Sequence, residues 1–341
     1  MRKSELHTGQ RLDPLMDSHG RRINYMRLAV TDRCNLRCFY CMPEQGIDFL
    51  PKKDILSYEE MMRLIQITHR MGVDKIRITG GEPLVRKGLI EFAKSVRDNI
   101  DLRSFSITSN ATLTHLYEAE IIELFDSINI SLDSLDRARF QQITRRDEFE
   151  LVFQNINSLI DSGMDVKINA VVMDGKNNED ILPFVEWTRN NKVDVRFIEE
   201  MPFNGSRSQS EVSNWNHVKI LDHIQSEFKN VIPLANPKSS TSVMYQVKDF
   251  AGRFGIIPAF SRTFCGSCNR IRMTAKGELR SCSYSAKGTP LLPLLRSTND
   301  DAVVAAEIRR AIIHKEKDGF EAAAARNNSS DIYESMTSIG G

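Results

Sequence analysis

Six short β-like runs, Tyr25–Val30, Lys75–Thr79, Ser104–Ser109, Ser127–Leu132, Asp165–Met173 and Val193–Glu199, are separated by stretches with helical patterning. That alternation predicts a parallel sheet with helices outside, because a parallel crossover needs a long connection and usually takes a helix. One connection shows this clearly. Ser57-Tyr58-Glu59-Glu60 has capping-box spacing, Met61, Leu64, Ile65 and Thr68 follow at helical intervals, and Gly72 stops the run. Helical patterns also run through Leu89 to Val96, Leu113 to Leu124, Phe149 to Ile160 and Ile181 to Thr188. The fold class is therefore α/β, an incomplete (β/α)6 TIM-like barrel of parallel strands. Functional groups in such folds gather at the C-terminal ends of the strands.

That placement rule sorts the polar residues. The cysteine-rich loop Cys34–Cys41, Gly80-Gly81-Glu82-Pro83, Thr108-Ser109-Asn110, Ser131-Leu132-Asp133 and Glu199-Glu200-Met201 all fall where their strands end, so they converge on one rim. On the fifth strand Lys167 and Asn169 share a face with Val171, while Val166, Ile168, Ala170 and Val172 make the other face wholly apolar. The polar face should line the lumen. Arg27 and Arg77 are likewise charges within mostly apolar strands, and a lumen that holds an anion would need them.

Three thiols, Cys34, Cys38 and Cys41, are packed into eight residues, and a second trio, Cys265, Cys268 and Cys282, stands near the other end of the chain. A closed structural zinc site takes four ligands, whereas a four-iron cluster held by three thiolates keeps one iron open for chemistry. None of the seven histidines lies near either trio, which disfavours a mixed zinc site. A zinc loop borrowing a distant fourth ligand is the alternative. A four-thiolate zinc site would strip one trio to two, so two open clusters fit the count better.

Lys and Arg total 46 against 45 Asp and Glu, a balance that speaks against a general nucleic-acid or membrane binder. No stretch approaches the roughly 20 apolar residues of a membrane span, and Met1 to Arg22 lacks the apolar core of a secretory signal. A cytoplasmic location is expected, and there cysteines are metal ligands or catalytic groups more often than disulfides.

Three regions are expected: an N-terminal extension, 1–22, without assigned chemistry; the partial barrel, 23–205; and a C-terminal extension, 206–341, closing the barrel's open side. Phe203 to Gln209 is Gly- and Ser-rich and reads as a linker. A helix follows through Val218, Leu221, Ile224 and Phe228. Val243–Val247 and Arg253–Ile257 read as strands of a smaller unit, and Ala302–Ile313 as a final amphipathic helix. Arg270 and Arg272 are two apart, so on an extended segment they share a face, and such a pair suits phosphate oxygens. A plain solvated strand carrying two arginines would look the same.

Cys34-x3-Cys38-x2-Cys41, with Tyr40 before the last thiol, resembles the signature of radical S-adenosylmethionine enzymes, and Gly80-Gly81-Glu82-Pro83 looks like their methionine-binding motif. Glycine at 80 and 81 fits a place where backbone comes close to a ligand. Together with Thr31-Asp32-Arg33, the second trio, Asn269-Arg270-Ile271-Arg272 and the terminal Gly340-Gly341, the chain is similar from about Gly20 onward to the GTP 3′,8-cyclase (MoaA-type) family, which opens molybdenum cofactor biosynthesis. A radical enzyme acting on a peptide is the rival, although such enzymes typically carry more extra cysteines.

The resemblance implies two 4Fe-4S clusters, one on Cys34, Cys38 and Cys41 and one on Cys265, Cys268 and Cys282. It implies S-adenosylmethionine near Tyr40, Gly81, Glu82, Ser131 and Met201, and GTP held by Arg27, Arg77, Thr108, Lys167, Arg270 and Arg272. The Gly340-Gly341 tail is expected to reach the active site and to be needed for turnover. Expected partners are GTP, an external one-electron donor of the flavodoxin kind, the downstream cyclic pyranopterin monophosphate synthase by product hand-off, and a second copy of the chain; no nucleic acid and no membrane. The chain departs from the family's usual Thr-Thr-Asn-Gly at Thr108-Ser109-Asn110-Ala111, where the glycine is lost.

Overall fold

The computed structural model describes residues 11–201, 214–237, 239–285, 288–327, 337 and 340. The six expected strands are β1 (Tyr25–Ala29), β2 (Lys75–Thr79), β3 (Ser104–Ser109), β4 (Ser127–Ser131), β5 (Val166–Val172) and β6 (Asp194–Glu199). Between them lie α1 (Tyr58–Arg70), α2 (Leu89–Asn99), α3 (Glu118–Leu124), α4 (Arg137–Thr144), α5 (Phe149–Asp161) and α6 (Ile181–Trp187). The later elements are α7 (His217–Glu227), β7 (Val231–Pro233), β8 (Val243–Val247), β9 (Arg253–Ile257), β10 (Arg270–Met273), β11 (Glu278–Arg280), β12 (Thr289–Pro290), α8 (Leu292–Ser297), α9 (Asp301–Ile313) and α10 (Gly319–Asn327).

The strands read as a smaller unit join the same sheet. Its order is β12-β11-β10-β1-β2-β3-β4-β5-β6-β9-β8-β7, twelve strands in an open run. Parallel pairing extends from β10 through β1 to β6 and on to β9, so the C-terminal segment adds a parallel strand to each edge of the six. This is a partial barrel whose two margins both come from the same late stretch of chain.

Binary patterning explains which face is packed. On β5 burial alternates, with Val166, Ile168, Ala170 and Val172 sealed against the helical layer and Lys167, Asn169 and Val171 turned to the lumen. In α1 the capping box is complete: Glu60 N donates to Ser57 Oγ at 3.2 Å and Ser57 N to Glu60 Oε2 at 2.7 Å. Its buried stripe, Met61, Leu64, Ile65, Ile67 and Thr68, faces the core, and truncating Leu64 to Ala there would cost about 2–5 kcal/mol.

Two departures affect the site. The helix expected from Leu113 begins as a short 3-10 turn, Thr114–Leu116, and α3 starts only at Glu118, because Tyr117 leaves helical geometry at φ −139°, ψ 25°. The segment Arg137–Thr144, in which only Phe140 and Ile143 are strongly apolar, is also helical. Residues 11–22 are docked rather than loose, with Leu15 fully buried and its N–H bonded to Met71 O at 2.9 Å. The expected linker lies largely outside the described residues. No described helix is long and apolar enough to cross a membrane.

Candidate active site

The loop after β1 carries the first three thiols and is clamped from two sides. The carbonyls at the end of α4, which a helix leaves unsatisfied, accept its amides: Arg37 N donates to Thr144 O at 2.9 Å and Phe39 N to Ile143 O at 3.0 Å. Arg145, just past the helix, turns to φ +55° and donates to the Arg37 and Met42 carbonyls. On the other side Gly81 N donates to Thr31 O and Glu82 N to Arg33 O, both at 2.8 Å.

The glycines of the Gly80-Gly81 turn are required by the chain's own backbone. A Cβ on Gly80 would stand 2.4 Å from Thr31 O, and one on Gly81 2.2 Å from Arg33 O. The close approach expected there toward a ligand is thus first an approach to the entrance of the cysteine loop. Glu82 departs from expectation more sharply, since it does not line the cavity. It is 1% exposed, and its carboxylate accepts from Asn110 N at 2.6 Å, Ser109 Oγ at 3.0 Å and Leu84 N at 3.1 Å. Burial pushes it up to about 7 despite those donors. Glu82 here ties the turn after β2 to the turn after β3, which in turn aims Asn110 Nδ2 at Cys34 Sγ, 3.7 Å away.

Tyr40 is held by Asp133, at the end of β4, to which its hydroxyl donates at 2.6 Å. Asp133 also accepts from Val171 N at 2.8 Å, and burial pushes its carboxyl up to about 6.

The lumen is walled by cations. In the register of the sheet Arg272, Arg27 and Arg77 stand side by side on β10, β1 and β2, and one pleat below lies the row Arg270, Tyr25, Lys75. Neighbouring strands are about 4.8 Å apart, so these like charges face one another directly. Burial, then Arg27, Arg196 and Arg270, bring Arg77 down to about 10; burial, then Arg27 and Arg270, bring Arg272 down to about 9. Burial raises the Tyr25 phenol, but Arg77, Arg27 and Arg270 together outweigh it and hold the group below its usual 10. Several polar atoms of residues lining this space, Arg27 Nε, Thr108 Oγ1, Asn169 Oδ1 and Arg196 Nε, are buried without a hydrogen-bond partner among the described residues. A wall of this kind is built for an anion with many acceptor oxygens.

Not every predicted cation is free. Lys167 pairs with Asp165, and Arg270 donates to Ser239 O at 2.8 Å. Arg272 donates to the carbonyl of Gly340, which sits at φ +81° where a Cβ would meet Ala29 and Thr79 at 3.0 Å. The described end of the tail therefore rests on the cationic wall; Gly341 lies outside the described residues.

The second trio is assembled from two segments. Cys265 and Cys268 flank a 3-10 turn before β10, and Cys282 follows β11. Arg21, from the N-terminal extension, binds Cys265 O at 2.9 Å, Lys317 O at 2.6 Å and Glu316 O at 2.6 Å, and pairs with Asp17 at 2.6 Å. Expectation left this extension without a role, because nothing local in Asp17 or Arg21 announces a partner more than two hundred residues away.

None of the six cysteines is in a disulfide. Burial raises the first three, Cys34 to about 11 and Cys38 and Cys41 further. In the second set burial also raises Cys265 and Cys282, whereas at Cys268 Lys315 and Arg270 outweigh it and lower the thiol. Among the described residues no three His, Cys, Asp or Glu side chains converge as they would around a single ion. Thiolates that each take a different iron of a cluster need not converge, so the donor set fits iron–sulfur ligation.

Both trios, Tyr40, Gly81, Ser131, Met201, Arg27, Arg77, Thr108, Lys167, Arg270 and Arg272 all line one cavity of about 660 Å³, within the usual range for a ligand site. Asn169, expected on the lumen face, lines the same cavity, as do Lys75, Arg196 and Tyr25, which had no expected role. Arg196 carries the signal that marked Arg77, a charge between apolar neighbours, here Val195 and Phe197, inside a barrel strand.

A family model of the radical SAM superfamily matches residues 28–188, and one described as Molybdenum Cofactor Synthesis C matches residues 193–321. GTP 3′,8-cyclase of Geobacter sulfurreducens is 38% identical over 335 residues, covering 96% of this chain and 99% of that protein. The chain belongs to the GTP 3′,8-cyclase family. Molybdenum cofactor biosynthesis protein 1 of Drosophila melanogaster is 39% identical over 316 residues, covering 92% of this chain but only 55% of that protein, so the chain spans about half of its length. Among solved structures, Streptococcus suis SuiB bound to S-adenosylmethionine superposes with a TM-score of 0.57 at 14% identity, covering 85% of this chain and 69% of that one, a likeness of fold. Within the family, the first trio falls in the radical SAM region and the second in the C-terminal region.

Proposed function

We propose that the chain is a lyase, a GTP 3′,8-cyclase that forms (8S)-3′,8-cyclo-7,8-dihydroguanosine 5′-triphosphate, the first step of molybdenum cofactor biosynthesis. The observation that carries this reading is the single cavity that brings both cysteine trios and the rows of Arg272, Arg27 and Arg77 and of Arg270 and Lys75 together. Cys34, Cys38 and Cys41 would hold one 4Fe-4S cluster, and Cys265, Cys268 and Cys282 the other. When bound, the first cluster and S-adenosylmethionine would supply a 5′-deoxyadenosyl radical that takes hydrogen from C3′ of GTP, after which C3′ bonds to guanine C8 and one further electron from the external donor and a proton complete the 7,8-dihydro product.

The residues of the chain do the positioning. Tyr40, fixed by Asp133, stands with Gly81, Ser131 and Met201 on the side of the cavity that suits S-adenosylmethionine; Glu82 acts behind them by setting the turns. Arg27, Arg77, Thr108, Arg270 and Arg272 hold the triphosphate, with Lys75 and Arg196 beside them, and Lys167 joins them once drawn from Asp165. Their mutual repulsion is relieved when phosphate charge arrives, so the wall favours the charged end of the nucleotide. Burial of the reacting carbon keeps water from competing. The Gly340-Gly341 tail acts at the same wall, through Arg272. The enzyme works in the cytoplasm, draws single electrons from a flavodoxin-like donor, hands its product to cyclic pyranopterin monophosphate synthase and pairs with a second copy.

Anaerobic incubation of the reconstituted protein with GTP, S-adenosylmethionine and a reductant should yield 5′-deoxyadenosine together with the cyclised nucleotide. Deoxyadenosine without cyclised nucleotide would mean that the radical chemistry is right and the substrate wrong.

A further inference from the structure

Lys315 follows the last turn of α9 and is 3% exposed. Its ammonium donates to two main-chain carbonyls, Arg270 O at 3.2 Å and Ser281 O. Those carbonyls belong to the two segments that supply the second cysteine set: Arg270 lies two residues after Cys268, and Ser281 directly precedes Cys282. The neighbouring carboxylate of Glu316 is occupied by the hydroxyls of Ser281 and Ser285, each at 2.8 Å. Carbonyl dipoles orient a buried ammonium but do not cancel its charge, and an uncompensated buried ion costs several kcal/mol. Glu316 makes no ion pair with Lys315 among the described residues, whereas the Cys268 and Cys282 thiols on either side both feel the ammonium's charge, so as thiolates they are placed to compensate it. Iron–sulfur units held by thiolates are net anionic and become more so on reduction, and their potentials follow local charge, hydrogen bonding and exposure.

We propose that Lys315 is the fixed counter-cation of the second cluster, a positioning residue that fastens the Cys268 and Cys282 segments to each other and makes the cluster between them easier to reduce. The proposal rests on reading Cys265, Cys268 and Cys282 as cluster ligands.

The test uses two variants of the full chain, Lys315→Gln, which keeps a hydrogen-bond donor and removes the charge, and Lys315→Arg, which keeps the charge. Each is reconstituted in a background of Cys34→Ala, Cys38→Ala and Cys41→Ala, so that an EPR-monitored redox titration reads the second cluster alone. Lys315→Gln should move its midpoint to more negative potential, or lose the cluster, while Lys315→Arg keeps both cluster and potential near those of the parent. The first cluster, read in a background of Cys265→Ala, Cys268→Ala and Cys282→Ala, should be unmoved by either variant. A Lys315→Gln protein with the parent's potential overturns the proposal, as does equal cluster loss in both variants, which would assign the site to packing alone. A parent background that takes up no iron on reconstitution overturns the cluster reading itself, a separate and recognisable failure.

Discussion

Cys34, Cys38 and Cys41 sit on one eight-residue loop whose backbone is gripped by the turn after β2 and the end of α4, whereas Cys265, Cys268 and Cys282 come from two segments held by side chains from Arg21 and Lys315. The first set is fastened by main-chain hydrogen bonds and by glycines that admit close approach. The second is fastened by buried cations reaching across the sequence. A locally closed site loses its geometry when backbone space is filled; a site assembled at long range loses it when one distant charge is removed.

The largest effect is expected at Arg21. Arg21→Ala leaves the Asp17 carboxylate buried and the Glu316 and Lys317 carbonyls without their donor, and breaking a buried pair in this way costs about 3–5 kcal/mol. Iron should fall from about eight to about four per chain, with the first cluster's EPR signal retained. If the variant kept a full complement of iron, the contrast between the two sets would collapse.

Gly81→Ala should do the reverse. Its Cβ would meet Arg33 O at 2.2 Å and Asp32 O at 2.9 Å, so the cysteine loop has to move. At a cost of about 3 kcal/mol or more, the first cluster is lost while the second assembles. Separate EPR of the two clusters decides it, and loss of both would show that the sets are not independent.

Arg27 stands between the two sets, one register step from Arg272 on one side and Arg77 on the other. Removing a charge-assisted contact of this kind costs about 1.5–3 kcal/mol, so Arg27→Gln should weaken GTP binding roughly 10- to 100-fold. The same change removes repulsion in the nucleotide-free wall and should raise its melting temperature. Calorimetric GTP affinity unchanged from the parent would remove Arg27 from the binding wall.

How legible each set was follows from the same contrast. The six strands and the first cysteine loop rest on near neighbours in sequence and on regular alternation, which a linear reading captures. The partners of the second set do not, since Arg21 and Cys265 are joined only once β10 pairs with β1. Arg270 and Arg272 were recognisable as one face of a strand, but nothing in the sequence says that this strand becomes the edge partner of Arg27. Glu82 shows the opposite limit: its motif was plain, yet its carboxylate points into the fold because the amides of Leu84 and Asn110 lie there.

Glu82 also makes the first site sensitive to pH. Burial pushes its carboxyl from 4.5 up to about 7. Between those values the folded protein keeps a proton that the unfolded chain has released, so stability falls as pH rises through the window. The apo protein should lose roughly 1–3 kcal/mol between pH 5 and 8. Glu82→Gln lowers stability throughout, because one amide donor loses its acceptor, but it should flatten the slope; a denaturation series with the parent's slope would assign the titration elsewhere, Asp133 being next.

The smallest effect concerns the lost glycine. Ala111 keeps the left-handed turn at φ +62° although it carries a Cβ, and its methyl is fully buried. Ala111 N donates to Ser109 Oγ at 3.0 Å, and Ala111 O accepts from Asn155 Nδ2 at 2.7 Å and Thr114 Oγ1 at 3.1 Å. These bonds impose the turn, and an L-residue there pays about 1–2 kcal/mol. Glycine removes that strain but adds freedom to the unfolded chain worth about 0.5–1 kcal/mol. Ala111→Gly should therefore stabilise by no more than about 1 kcal/mol, read as a small rise in melting temperature. The turn aims Asn110 at Cys34, and because the bonds that impose it use only the main chain of position 111, the substitution should leave the first cluster's EPR signal unchanged; an altered signal would mean that the strain at position 111 is part of how the first set is held.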